Sequence, residues 1–202
     1  MSYTFQSETK YLLPAYECAL ISTFLEGEEG NFFRKAAGDV EIKEVRNGRT
    51  YKNGALHSFN DEPAINNGIE KAWYKDGKLH REGDKPALID FEFGINVNSY
   101  YINGKLHRDG DNPAVESQSF NKWYKDGLIH RDGDLPAVVD DFQYEWYKNG
   151  KRHRDGDKPA FDDERTETKQ WWVDGVLIRS YFGGYDDISY SNEVNQKWDN
   201  DW

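Results

Sequence analysis

The sequence predicts an all-β repeat array: an elongated antiparallel sheet or solenoid of β-hairpin units with a small N-terminal helical cap. Three observations predict it. The glycines of the Asn-Gly and Asp-Gly pairs, Gly54, Gly77, Gly104, Gly127, Gly150 and Gly175, stand 23, 27, 23, 23 and 25 residues apart. All 5 histidines (His57, His80, His107, His130 and His153) fall three residues after one of those glycines, and Pro63, Pro86, Pro113, Pro136 and Pro159 fall six residues after the histidines, each followed by alanine. Recurrence at a near-fixed period is the signature of a repeat architecture. Composition is the third: hydrophobic residues make up 37% while aromatics reach 15%, so burial leans on rings carried by short strands.

Residues 1–46 are expected to form a cap containing a helix. The stretch YLLPAYECALISTFLE, residues 11–26, places Pro14 in its first turn and a stripe of Tyr16, Leu20 and Phe24 beside Leu13, Ile21 and Leu25. Such a helix covers the first sheet edge, as the end of a repeat array requires; a partner-binding helix is the other reading. Cys18 lies in it as apolar filler and is the chain's one cysteine, which excludes an internal disulfide. From Asp39 to Tyr51 the chain alternates like a strand around its own Asn47-Gly48 turn, so a degenerate unit starts there.

The units occupy residues 47–180. Asn-Gly or Asp-Gly between aromatic and aliphatic residues is the strongest short-range hairpin signal, because a type I′ turn needs positive φ twice. A turn at Asp76-Gly77 pairs Lys75 with Lys78, Tyr74 with Leu79 and Trp73 with His80. The same register pairs Tyr51 with Leu56, Tyr101 with Leu106, Tyr124 with Ile129 and Trp172 with Leu177, while Tyr147 with Arg152 breaks the aliphatic column and predicts a half-exposed site. After each histidine comes R-x-G-D-x-P-A, as in RDGDLPA. Its glycine (Gly83, Gly110, Gly133, Gly156) is read as left-handed, with Asn60 standing in for it in the first unit. Asp84 and its counterparts are expected to accept from nearby backbone amides, and a third strand such as PAVV follows the proline. The 27-residue spacing reads as an insertion, FGINVN, in a variable turn.

The last unit, WWVDGVLIRS, has Ile178 in the histidine column and no Gly-Asp-Pro-Ala loop, the mark of a terminal cap. Residues 181–202 form an acidic tail, with Asp186, Asp187, Glu193, Asp199 and Asp201 against Lys197. A loose tail is the expected reading; Trp198 and Trp202 are costly to expose and suggest the other, a tail that docks on this chain or another.

The histidines are the natural candidates for catalysis or metal binding. Each belongs to its own hairpin, about 10 Å from the next, whereas the ligands of one zinc sit about 2 Å from it. No group is posed uniquely against any one of them, as nucleophile, base and orienter must be. Their expected role is stacking on tryptophan and donating to a loop carbonyl. The acid pairs Asp109/Asp111, Asp132/Asp134 and Asp155/Asp157 hint at calcium, but each loop supplies two carboxylates beside an arginine, and turn and ion-pair duty is the reading preferred. No catalytic residue, cofactor or metal site is expected. A net charge of −11 opposes nucleic-acid phosphate and anionic lipid alike. With no signal peptide or membrane span in view, the expectation is a soluble cytoplasmic protein.

The segment EWYKNGKRHRDG, Glu145 to Gly156, resembles the MORN repeat, a family of short β-hairpin units. The shared pattern maps to Tyr147, Asn149, Gly150, His153 and Gly156 and recurs from roughly residue 47 to 179. The chain departs from it twice: Arg81, Arg108, Arg131 and Arg154 stand where a glycine usually follows the histidine, and the glycine usually two before the aromatic is absent; the GD-x-PA tail is extra. This is the pattern of a variant branch similar to proteins called MORN-like or YwqK-like. The resemblance implies a scaffold or binding protein, sometimes one that meets phospholipid head groups. The functional expectation is a non-catalytic chain that binds another protein, one with a basic surface, through a repeat face or its acidic ends. Trp73, Trp123, Trp146, Trp171, Asp186, Asp187, Trp198 and Trp202 are the candidate contacts. An inhibitor or antitoxin-like protein blocking a basic, nucleic-acid-binding site is the alternative, and a membrane-surface scaffold a further one.

Overall fold

A computed structural model describes residues 43–187 of the chain, residue 93 apart. These residues are all strand, turn and loop. The helix expected over 11–26, Cys18, Trp198 and Trp202 lie outside them.

One 15-stranded antiparallel sheet runs through the molecule. Its strands follow chain order: Lys43–Arg46, Arg49–Lys52, Ile65–Asn66, Glu70–Ala72, Leu88–Glu92, Ile95–Ser99, Val115–Glu116, Phe120–Lys122, Val138–Asp140, Gln143–Glu145, Phe161–Asp163, Thr168–Val173, Val176–Phe182 and Tyr185–Asp187, with Ala55–Leu56 as an extra partner of Arg49–Lys52. The first and last of these strands do not pair with each other, so the described sheet is open. Beside it stand four two-stranded hairpins: Tyr74–Lys75 with Lys78–Leu79, Tyr101–Ile102 with Lys105–Leu106, Tyr124–Lys125 with Leu128–Ile129, and Tyr147–Lys148 with Lys151–Arg152. The expected pairs of Lys75 with Lys78, Tyr74 with Leu79, Tyr101 with Leu106, Tyr124 with Ile129, Tyr147 with Arg152, Tyr51 with Leu56 and Trp172 with Leu177 are present. Trp73 and His80 meet only through the His80 amide and the Trp73 carbonyl.

The turns explain the register. Asp76 and Gly77 take φ of 48° and 79°, and the other Asn-Gly and Asp-Gly pairs repeat the values closely, which is the type I′ geometry matching strand twist. Gly83, Gly110, Gly133 and Gly156 are left-handed, as is Asn60 at φ 53° in the first unit. The insertion lengthens a hairpin, with Leu88–Glu92 and Ile95–Ser99 pairing over their full length.

Each unit has one strand more than the sequence suggested. Between the variable turn and the aromatic, Glu70–Ala72, Ile95–Ser99, Phe120–Lys122 and Gln143–Glu145 are strands of the long sheet. Three of them are only three residues long, too short to show alternation, and Ile95–Ser99 read as part of the insertion. The aromatic is where the chain changes partner. The Trp123 amide donates to the Ala137 carbonyl at 2.8 Å, inside the long sheet, and the Trp123 carbonyl accepts from His130 at 3.0 Å, inside the short hairpin. Trp73, Tyr100 and Trp146 do the same with their own alanine and histidine.

Those alanines form the innermost column: Ala87, Ala114, Ala137 and Ala160 are 0% exposed. No large side chain among the described residues is fully buried. The array therefore has a thin core, and neighbouring units are held by half-buried rings and by polar ladders.

Candidate functional site

Two ladders cross every joint between interior units, and they account for the residues the sequence singled out. The first is built on arginine. Arg131 lays its guanidinium over the Trp123 ring, 3.7 Å from the centroid. It donates through Nε and Nη2 to both oxygens of Asp111 in the preceding unit, at 2.6 and 2.7 Å, and through Nη1 to the Pro136 carbonyl at 3.1 Å. Arg81 does this on Trp73 with Asp61, Arg108 on Tyr100 with Asp84, and Arg154 on Trp146 with Asp134. A planar, two-pronged cation suits this double task; a lysine does not. Lys85 and Lys158 add a second cation on Asp61 and Asp134. The arginine bond holds the carboxyls of Asp61, Asp84, Asp111 and Asp134 below the usual range, most strongly at Asp61 and Asp134.

These aspartates thus accept from the arginine of the next unit rather than from nearby backbone amides as expected. The first unit fits the rule: no R-x-G-D-x-P-A segment stands before it in the sequence, and Thr50 and Ser58 replace its aromatic and its arginine. Ser58 Oγ accepts from the Ala64 and Tyr74 amides instead.

The second ladder is built on histidine. His80 Nδ1 accepts from the Asn103 backbone amide at 3.1 Å, and its Nε2 faces Glu82 at 2.9 Å. An amide only donates, so the ring is the neutral tautomer with its proton on Nε2, donating to the carboxylate. His57, His107, His130 and His153 accept in the same way from the amides of Asp76, Asp126, Asn149 and Asp174. The expectation of stacking on tryptophan and donating to a loop carbonyl is corrected accordingly, since arginine takes the tryptophan face. A backbone bond from each turn glycine to the preceding hairpin, such as Gly127 to Leu106 at 2.9 Å, completes the joint.

The acid pairs divide their labour. Asp111 and Asp134 are consumed by the arginine ladder. The other member of each loop, Glu82, Asp109, Asp132 or Asp155, bonds its own histidine and stays 78%, 92%, 80% and 81% exposed. The bond from histidine, helped by Lys75, Lys125 and Lys148, keeps Glu82, Asp132 and Asp155 below the ordinary carboxylate range. Between units lie clefts, one of about 570 Å³ walled by His107, Asp111, Trp123, Lys125 and Asp132. Smaller clefts of about 350 and 380 Å³ repeat these walls in the neighbouring units. Among the described residues, no group of three or more His, Cys, Asp or Glu is placed to hold a metal ion.

Of the candidate contacts, Trp73 is buried, and Trp123, Trp146 and Trp171 are partly buried, each ring under an arginine. Trp73 Nε1 donates to the Asp61 carbonyl at 2.8 Å, where Asp61 is itself left-handed at φ 60°. Trp123, Trp146 and Trp171 have no such partner for Nε1 among the described residues. Asp186 and Asp187 lie on the last strand opposite Tyr181 and Ser180. Arg152 is not half exposed as expected: its side chain is 23% exposed, paired with Glu145 and set among the rings of Tyr147, Phe161 and Trp172.

Sequence reasoning missed the exposed carboxylate column as a surface feature, although its position two residues after each histidine was in view. No helix among the described residues is long and apolar enough to cross a membrane. Compared with family models, curated proteins and solved structures, the chain finds no match.

Proposed function

We propose that the chain is a non-catalytic binding or scaffold protein of the cytoplasm whose repeat face engages a partner with a basic surface. The observation that carries this reading is the column of Glu82, Asp109, Asp132 and Asp155, one well-exposed carboxylate per unit beside a cleft of constant chemistry. Four arginines that would offset it are withdrawn to 13–15% exposure against the faces of the aromatic rings. The histidines support the non-catalytic part, since each is engaged at both ring nitrogens or by the next turn and none is set apart from the others. The resemblance to MORN-like units points the same way, towards scaffolding.

The test is affinity capture by the intact chain against E82Q/D109N/D132N/D155N. Basic partners retained by the wild type should be released as salt rises, because exposed charges are screened within about 8 Å at physiological ionic strength, and should be lost from the variant. Capture that is indifferent to salt and to the variant overturns the acidic-face reading. A turnover abolished by one single histidine substitution overturns the non-catalytic one. An inhibitor of a nucleic-acid-binding protein is the form of this reading favoured by the net charge of −11, and competition between the chain and nucleic acid for the captured partner distinguishes it from a scaffold.

A further inference from the structure

The histidine ladder looks uniform in its backbone bonds and is not uniform in its side chains. The turn residue whose amide meets Nδ1 is an aspartate at three joints and an asparagine at two. At the aspartate joints a carboxylate already lies beside the same nitrogen: Asp76 Oδ1 is 3.1 Å from His57 Nδ1, Asp126 Oδ1 is 3.4 Å from His107 Nδ1, and Asp174 Oδ1 is 3.3 Å from His153 Nδ1. Asn103 and Asn149 bring no charge to His80 and His130.

We propose that the joints differ in their response to acid: protonation of the histidines loosens those at His80–Asn103 and His130–Asn149 and leaves those at His57–Asp76, His107–Asp126 and His153–Asp174 closed. The chemistry is local. An imidazolium carries hydrogen on both nitrogens, so its Nδ1 no longer accepts, and the amide nitrogen 3.1 Å away at Asn103 or Asn149 points its hydrogen at another donor. At an aspartate joint the new Nδ1–H has an anionic acceptor within reach, so ring and turn stay together and the turn amide stays covered.

The other charged groups do not remove the contrast. Nε2 of His80 faces Glu82, which Lys75 also holds at 3.1 Å; Nε2 of His130 faces Asp132, held by Lys125 at 3.4 Å. His107 and His153 have the same arrangement with Asp109 and with Asp155, the latter near Lys148, while His57 packs on the Phe59 ring. The adjacent arginines are engaged by the aspartates of the preceding loops. Carboxylates on Nε2 thus serve His80 and His130 at one kind of joint and His107 and His153 at the other, and among these four the turn residue separates the two kinds. The Arg108–Asp84 and Arg154–Asp134 rungs, with the Gly104–Leu79 and Gly150–Ile129 backbone bonds, still span the loosened joints, so the array hinges there without parting.

The inference does not depend on what the protein binds. It is tested by amide hydrogen exchange, resolved by NMR on the intact chain at pH 7.5 and 5.5, on either side of the ordinary imidazole range of about 6.5, with rates normalised to the unstructured chain. Protection at the Asn103 and Asn149 amides should fall about tenfold, the weight of one hydrogen bond, and protection at the Asp76, Asp126 and Asp174 amides should fall less. N103D and N149D should keep their protection at pH 5.5, and D126N should acquire the sensitivity. An equal fall at all five amides, or no fall at Asn103 and Asn149, overturns the proposal. So does a ring-nitrogen spectrum at pH 7.5 that places the proton of His80 or His130 on Nδ1.

Discussion

An interior unit and the last unit share a turn and differ in nearly everything that follows it. Asp126-Gly127 and Asp174-Gly175 have almost the same dihedral angles, at φ 53° and 86° against 48° and 84°. In the interior unit the chain is interrupted at Trp123, so that Phe120–Lys122 belongs to the long sheet and Tyr124–Lys125 to a separate hairpin. In the last unit Thr168–Val173 and Val176–Phe182 run on without interruption, and the change is absorbed by a bulge between Trp171 and Trp172. The difference lies in the loop. Where His-Arg-x-Gly-Asp-x-Pro-Ala follows the turn, its alanine takes the aromatic's amide and its histidine takes the aromatic's carbonyl, which forces two partners on one residue. Where Ile178-Arg179 continues as strand, one partner suffices. The turn makes a hairpin; the loop makes a second tier.

The largest effect that sharpens this contrast is at the aromatic. Trp123→Ala removes the platform of Arg131 and the ring at the change of partner, and should cost about 3 kcal/mol in denaturant unfolding. Trp171→Ala should cost clearly less, because the continuous ladder of the last hairpin survives it. Equal costs would mean that the ring matters only as buried area. Next comes Ala137→Leu. Ala137 is 0% exposed and its amide and carbonyl are both committed to strand partners, so the added atoms have nowhere to go. A loss of about 1–3 kcal/mol is expected, measured the same way; a neutral result would show that the alanine column has slack the structure does not display.

What could be read from the sequence follows from which interactions are local. Turn pairs, hairpin registers and the left-handed loop glycines are set within a few residues, and they were legible. The arginine was visible only as a departure from the MORN pattern, and the GD-x-PA tail as an unrelated addition. Their connection is invisible along one unit because the guanidinium of Arg131 reaches Asp111, twenty residues back. Ser58, in the unit that no R-x-G-D-x-P-A segment precedes, was the one signal that could have linked them. The histidine role was misassigned for the same reason, since its Nδ1 partner is the amide of the next unit, which has no side-chain identity to read. Arg152 was placed too far towards solvent because its cover, Phe161 and Trp172, comes from later elements.

The arginine ladder offers a smaller effect that isolates pairing from packing. In a double-mutant cycle of Arg131→Gln and Asp111→Asn, the coupling should be about 0.5–1 kcal/mol, the modest scale of a pair whose acid is largely exposed. Arg131→Lys should lose most of that coupling, since lysine reproduces the charge and not the fork. A lysine variant equal to the wild type would reduce the rung to simple charge neutralisation.

The weakest effect appears only in acid, and its sign is set by the aspartates. Asp61, Asp84, Asp111 and Asp134 have folded-state carboxyls below the ordinary value because arginine, with lysine at Asp61 and Asp134, bonds the charged form. Unfolding therefore takes up protons in this range. The contribution is fully present above the ordinary aspartate value of about 3.9 and declines as pH falls below it. These four carboxylates belong to the joints between interior units, whereas the last hairpin is held along its length by a continuous backbone ladder and should share less of the decline. Below about pH 4, amide protection at the interior joints should therefore weaken before that of the Thr168–Phe182 hairpin. If the terminal hairpin opened first, its ladder would be the weaker structure, and the arginine rungs would contribute nothing that a continuous pair of strands does not already supply.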